Sequence, residues 1–323
     1  FSLLNGVASG NDMRFNSDKV ENTRNFMNKI WNASRFVLMN CEGKKLPDIG
    51  KCKLSPADKW ILTRLDAAAK EAGDNLEKFE LGMASTALYD FVWSEFCDWY
   101  IEFSKPVLYG TDEEARLANL SVLVYVLDKI LKLLHPFVPF VTEEIYQNLP
   151  GHGETIMRES YPASQNRGFE DEAGTMEAVK EMITKIRNVR AEMNVSPSKR
   201  IRLFVKPSDE SIVKARVYIE KLANAEAAFG VFDAEKTVSV VCRGGEALIP
   251  LGDMVDAEKE TERVKKELEG VEAEISRAAG KLGNQGFVSK SPKNLIDAER
   301  AKLADYEEIK KKLLGRLETL KNM

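Results

Sequence analysis

Histidine is almost missing from this chain, with two residues in 323, His135 and His152. One closes a helix before Pro136 and the other sits in a Gly-rich loop, so a clustered-imidazole centre is excluded and helix-end and loop roles are expected. The four cysteines, at 41, 52, 97 and 242, have no CxxC or other tight metal spacing. They read as packing residues in a reduced, intracellular setting. There is no run of 18 apolar residues and no charged leader before a short apolar stretch. Neither a membrane span nor a secretory signal is read, and a cytoplasmic location is expected. Global basicity is also lacking, because 47 Lys plus Arg face 51 Asp plus Glu. A polyanionic partner would have to be held by a local patch.

Catalytic and cofactor signatures are absent too. GNQG at 283–286 is not followed by GK[ST], so it is a turn and not a P-loop. Glu95, Asp98 and Glu102 in WSEFCDWYIEF share a helical face, but a bundle metal site wants Glu-x-x-His pairs and none occurs. Phe91, Trp93, Phe96, Trp99, Tyr100 and Phe103 have the spacing of a buried helix and read as core, not as a stacking platform. The expectation is no catalytic residue, no metal and no cofactor in this chain.

What is present is a succession of helices. The first is expected from Ser17 or Asp18 to about Asn40, with Asp18 and Glu21 as a capping pattern. Ser55 and Pro56 are an N-cap and N1 pair opening a helix to about Phe79. Others follow over about Gly82–Leu108 and Asp112–Leu134, and a short one begins near Thr142. Short loops between helices of this length describe an antiparallel bundle. A stretch rich in Gly, Pro and small polar residues, 149–174, reads as a linker. A small α/β unit comes next, with helices over Met176–Met193 and Asp209–Leu222 and strands at 200–206, 237–242 and 247–251.

The C-terminal stretch has a heptad seam, Met254, Ala257, Thr261, Val264, Leu268, Val271, Ile275, Ala278 and Leu282. A second seam, Leu303, Tyr306, Leu313, Leu317 and Leu320, is interrupted by Lys310. The acidic start of the first and the basic end of the second suit an antiparallel coiled-coil hairpin. At its tip Arg277, Lys281, Lys290 and Lys293 have no acid among them from 276 to 296, an uncompensated basic end suited to a polyanion. The expected divisions are 1–16, 17–150, 151–175, 176–251 and 252–323. The first is the end of something preceding, because FSLLNGVASG has no Met and starts apolar; a piece of a longer protein is expected.

The candidate site lies in RNFMNKIWNASRF, residues 24–36. On a wheel Phe26, Met27, Ile30, Ala33 and Val37 form a core stripe, while Arg24, Asn25, Asn28, Asn32 and Arg35 fill another arc. No acid occurs from Arg24 to Asn40. Asn offers donors and acceptors to base edges, and Arg pairs with phosphate or stacks on unpaired bases. Lys29 and Phe36 border this arc, and Phe36 could stack a base.

Several long motifs in order, GVASGNDMRF, RNFMNKIWNASRFVLMN, VWSEFCDWYIEFSKP, LLHPFVPFVTEEIYQNL and KLGNQGFVSKSPKNLIDAERAKL, closely resemble the C-terminal part of the bacterial valyl-tRNA synthetase family. These are class I aminoacyl-tRNA synthetases, whose catalytic domain carries HIGH and KMSKS motifs and whose inserted domain edits mischarged threonine. Neither motif occurs here; Ser289-Lys290-Ser291 only echoes the second. The resemblance implies a mainly α protein, with an anticodon-binding bundle, a small α/β unit and a coiled-coil arm that holds the outer corner of tRNA. It implies valine tRNA and the enzyme's own catalytic domain as partners, ATP use elsewhere in that enzyme, and a monomer. This chain alone is expected to lack valine activation, aminoacylation and editing. Arg24 and Arg35 match positions that contact the anticodon, with A and C as its second and third bases; Asn25, Asn28, Lys29, Asn32 and Phe36 are added from the wheel. A structural bundle that docks a protein, without RNA, is the competing expectation.

Overall fold

The computed structural model describes residues 1–5, 17–232, 237–254, 257–283 and 293–321. Lys290 lies outside them. The fold is mainly helical with one small mixed sheet, as the sequence implied.

Helix α1 (Ser17–Cys41) buries Phe26, Ile30, Ala33 and Val37, the stripe expected from its periodicity. Helix α2 (Pro56–Glu77) starts with a complete capping box: Ser55 Oγ accepts from the Asp58 N–H, and Asp58 Oδ2 accepts from the Ser55 N–H. Helix α3 (Leu81–Asp90) continues through a π-helical segment, Phe91–Tyr100, into α4 (Ile101–Leu108). There the Ile101 N–H reaches back five residues to the Phe96 carbonyl. Phe91, Phe96, Tyr100 and Phe103 are buried, as core aromatics should be.

Helix α5 (Glu113–Leu134) is capped by Asp112, whose carboxylate accepts from the Ala115 N–H. Helix α6 (Pro139–Tyr146) begins three residues before Thr142, because Pro139 serves as its first residue. Thr142 is instead buried inside it, with His135 Nδ1 2.8 Å from its hydroxyl. His152 sits in the following loop, its Nδ1 2.8 Å from the Gly153 carbonyl.

The expected linker is strapped down. Thr155 and the Ile156 N–H both bond Glu143, Lys132 pairs with Glu159 at 2.9 Å, and Arg167 reaches Asp66 at 2.6 Å and the Tyr125 hydroxyl at 2.7 Å. Helix α7 (Glu170–Glu192) starts six residues before Met176. Glu170, Asp171 and Glu172 favour its positive end, and Lys59 of α2 holds Glu172 at 2.6 Å. The Trp60 indole also donates to Glu177 of α7 at 2.7 Å, so bundle and α/β unit share one core.

In the α/β unit, β1 (Ile201–Pro207) is followed by α8 (Glu210–Lys214), α9 (Arg216–Leu222), β2 (Ala225–Phe229), β3 (Thr237–Cys242) and β4 (Gly245–Pro250). The strand order is β2-β1-β4-β3, with β1 and β2 parallel and the other pairs antiparallel. The expected helix over 209–222 is broken at Ala215, and β2 was not anticipated. Gly245 has φ 119°, and a side-chain carbon there would come within 2.1 Å of the Lys206 carbonyl, so the β3–β4 turn requires glycine.

Beside that turn, Lys185 and Arg243 approach the Glu181 carboxylate at 2.8 and 2.6 Å. Their hydrogen bonds hold its pKa at about 2, below the usual 4.5. A depressed carboxylate contributes stability above its unfolded pKa and loses it as pH falls through the folded one. Urea midpoints of the parent and Glu181→Gln are therefore expected to differ at neutral pH and to converge as pH falls from about 4.5 toward 2. A gap that stays constant over that range would remove the ion pair from the pH response.

A short helix, α10 (Leu251–Met254), precedes the arm, in which α11 (Ala257–Gly283) packs along α12 (Lys293–Lys321). Leu313 is buried against Leu268 and Val271, and Ala278 is buried, as the seams require. Lys310, the break in the second seam, pairs with Glu272 of α11 at 2.7 Å. The seam side chains from Met254 to Val264, with Leu317 and Leu320, lie outside the described ones.

Candidate nucleic-acid interface

Helix α1 turns its second arc outward. Arg24, Asn25, Asn28, Asn32 and Arg35 are all exposed. Arg24 donates to Glu21, one turn earlier, at 2.7 Å. The arc is thus free of acid only within 24–40, but both side chains are over 60% exposed, so the pair is weak and exchangeable.

The border residues behave differently. The Lys29 ammonium contacts Asp98 of the π-helical segment at 2.5 Å and lies 3.8 Å from the Trp93 ring centre. It ties α1 to its neighbour. Phe36 is half-buried and packs against the core, which leaves it poorly placed to stack a base. The exposed ring is Trp31, 41% accessible, and at 100° per residue it falls within about 20° of Arg24. Trp31 and the exposed Met39 share this arc, and their wheel positions outside the core stripe are the sequence signal that marks them.

One turn beyond Arg35 the surface becomes concave. A cavity of about 540 Å³ lies between the end of α1 and the end of α6, lined by Leu38, Met39, Lys44, Gln147, Asn148 and His152 among others. It offers amides, a cation and apolar walls side by side. Sequence alone could not reveal it, since its two walls are over 100 residues apart.

The three carboxylates, Glu95 and Asp98 of the π-helical segment and Glu102 of α4, are engaged separately. Glu95 takes a two-oxygen contact from Arg64 at 2.6–2.9 Å, Asp98 takes Lys29, and Glu102 takes Lys105 at 2.5 Å. They bind cations from three different positions.

The arm tip is less bare than its sequence window implied. Arg277 pairs with Glu274 at 2.5 Å, and Lys281 reaches the buried Glu299 of α12 at 3.0 Å. Both acids lie outside 276–296, the first one turn earlier and the second on the facing helix. Arg277 and Lys281 keep most of their side chains exposed, 72% and 56%. Lys290 and the Lys293 side chain are outside the described residues.

Two family profiles match the chain: "Anticodon-binding domain of tRNA ligase" over residues 58–205, and "Valyl tRNA synthetase tRNA binding arm" over 256–321. Curated relatives named valine–tRNA ligase align along almost the whole chain, 44% identical over 332 residues in Listeria innocua and in Clostridium acetobutylicum, and 46% over 329 residues in Clostridium tetani. This chain belongs to the valine–tRNA ligase family. The alignments cover 99–100% of it and 37–38% of those relatives, so the chain spans well under half of their length, in their C-terminal portion. Within the valine–tRNA ligase family, it carries the anticodon-binding domain and the tRNA-binding arm. The anticodon-binding match begins inside α2 and runs through the strapped connection into β1; α1 lies outside it.

Proposed function

We propose that this chain is the tRNA-recognition part of a cytoplasmic valine–tRNA ligase, acting as a monomer on the valine tRNA. It binds the anticodon and the outer corner, while ATP-dependent joining of valine to tRNA belongs to other parts of the whole protein. On this reading it makes and breaks no bonds and needs no cofactor of its own. The observation that carries the proposal is the pairing, in one chain, of an anticodon-binding match and a tRNA-binding-arm match with an exposed Arg, Trp and Asn stripe.

In this reading Arg24 and Arg35, with Asn25, Asn28 and Asn32, offer hydrogen bonds to splayed anticodon bases, and Trp31 offers a stacking face. Lys29 and Phe36 hold α1 in place. A base turned out of the loop would find amides and an apolar wall in the neighbouring concavity. The arm contributes phosphate contacts without sequence preference, from Arg277, Lys281, Lys290 and Lys293.

The test is a titration with valine tRNA and with an anticodon-swapped version, each at two salt concentrations. The parent chain is expected to prefer the valine anticodon, and Arg24→Ala or Arg35→Ala to lose about 1–3 kcal/mol on it and less on the swapped RNA. Unchanged affinity and discrimination in both variants would remove the arc from the interface. No salt-dependent binding by the parent chain would remove the proposed function.

A further inference from the structure

Where the bundle meets the α/β unit, the end of α4 faces α7 and α9 across a cavity of about 310 Å³. Its lining includes Glu102, Lys105, Tyr109, Arg187, Lys221 and Leu222. Three cations stand against a single carboxylate, and Glu102 is already bound to Lys105 at 2.5 Å. The cavity is therefore short of negative charge.

Arg187 is held ready for an anion. Its Nε donates to the Leu222 carbonyl at 2.9 Å, and the guanidinium carbon lies 5.7 Å from the Trp99 ring centre. These contacts orient the fork without neutralising it. Among the described residues no carboxylate comes within ion-pair distance of Arg187 or Lys221. Desolvation pushes the Arg187 pKa below the usual guanidinium range, and the charge of Glu102 opposes this only in part. A phosphate arriving here would supply the missing counter-charge by the two-pronged contact that guanidinium favours.

The rim adds a second chemistry. Tyr109, directly after α4, is 70% exposed although it is a large aromatic residue. An exposed ring beside an unpaired cationic fork suits a nucleotide, whose sugar or base can lie on the ring while its phosphate meets the cations. The volume accommodates one such unit, and the lining comes from helices on both sides of the shared core.

We infer that this cavity is a seat for one or two backbone phosphates of RNA, with Arg187 and Lys221 meeting phosphate oxygens and Tyr109 lying against the adjoining nucleotide. This rests on the tRNA-binding reading above and adds a contact at the junction of bundle and α/β unit, distinct from the α1 arc. Because its contacts go to the backbone, the seat is indifferent to the anticodon.

The experiment compares the whole chain with Arg187→Gln/Lys221→Gln and with Tyr109→Ala, titrating valine tRNA and the anticodon-swapped RNA across a salt series. Inorganic phosphate and ATP serve as small-anion arms. The double variant is expected to bind both RNAs about 5- to 30-fold more weakly and to shallow the log–log salt slope by about 0.7–1.8, as for one or two lost phosphate contacts. Tyr109→Ala is expected to weaken both severalfold. Lys221→Gln alone removes an exposed side chain with no ion pair, and its slope loss of about 0.7 provides the reading if the double variant folds poorly. Parent binding with an unchanged slope in these variants would overturn the seat and leave the tRNA-binding reading standing. Loss confined to inorganic phosphate or ATP would overturn it in favour of a small-anion site. Absence of tRNA binding by the parent would overturn both.

Discussion

Asp58→Ala is expected to lower the unfolding free energy by roughly 3–5 kcal/mol, among the largest losses available from one side chain here. Asp58 is 1% exposed, and its carboxylate is fully used. One oxygen accepts from the Tyr100 hydroxyl at 2.7 Å and the Asn119 amide at 2.8 Å, and the other closes the α2 capping box on the Ser55 N–H at 2.9 Å. Removing it takes an acceptor from three donors, at the start of α2, on the π-helical segment and on α5, of which the Asn119 amide keeps a longer bond to the Tyr100 hydroxyl at 3.2 Å. The two buried donors cost about 1–3 kcal/mol each, and the lost Ser55 N–H bond of the capping box, at a half-buried residue, about 1 more, before partial relaxation. Asp58→Asn restores one acceptor but turns an N–H toward a neighbouring donor, and should lose about 2–3 kcal/mol. A double-mutant cycle with Tyr100→Phe should show a coupling of about 1–2 kcal/mol. Urea unfolding followed by tryptophan fluorescence reads the bundle, since all four tryptophans, at 31, 60, 93 and 99, lie on its helices. A loss under about 1 kcal/mol for Asp58→Ala would mean that the network is not holding these helices together.

The same residue shows what is readable in a sequence and what is not. Ser55-Pro56 announces the start of α2 because capping is local chemistry, and α5 is bounded for the same reason by Asp112 and by His135-Pro136. That Asp58 also anchors Tyr100 and Asn119, 42 and 61 residues away, is tertiary and leaves no local trace. The π-helical segment is hidden as well. Shifting each backbone bond by one residue over Phe91–Tyr100 hardly alters the spacing of its apolar residues. Helix α7 was read late because its first turn is acidic and contains no apolar periodicity. Lys59 and the helix dipole make that turn favourable.

The candidate site follows the same division. The outward Arg and Asn arc was legible because a helical wheel needs only sequence. Its partners were not: Glu21 lies just before the acid-free span, and Glu274 and Glu299 lie on either side of the arm-tip window. Trp31 is separated from the core aromatics by its place on the outward arc, and its exposure bears this out.

Strand β2 was missed for a reason that a second large-effect substitution can test. Its sequence, AEAAF, favours a helix by intrinsic propensity, so its extended form has to be imposed from outside. Arg190 of α7, 5% exposed, is placed to impose it. Its guanidinium donates to the carbonyls of Ala223 and Asn224 just before β2, at 2.5 and 3.3 Å, and to those of Ser196, Pro197 and Lys199 just before β1, at 2.6–3.3 Å. One planar fork thus joins the two chain segments that enter the parallel β1–β2 pair, which begins with the Ile201 N–H bonding the Asn224 carbonyl. Arg190→Met keeps the stem volume but removes all five of these charge-assisted bonds. The Asn224, Ser196, Pro197 and Lys199 carbonyls each keep one other donor and Ala223 keeps none among the described residues, so the expected cost is on the order of 2–4 kcal/mol. Arg190→Lys should recover only part, because an ammonium has three donors in a compact head and cannot span both turns. If Arg190 sets the strand, Arg190→Met will release hydrogen-exchange protection first over Ala225–Phe229, while the amides of β3 and β4 stay protected. Uniform loss across the whole sheet would instead assign Arg190 to general packing.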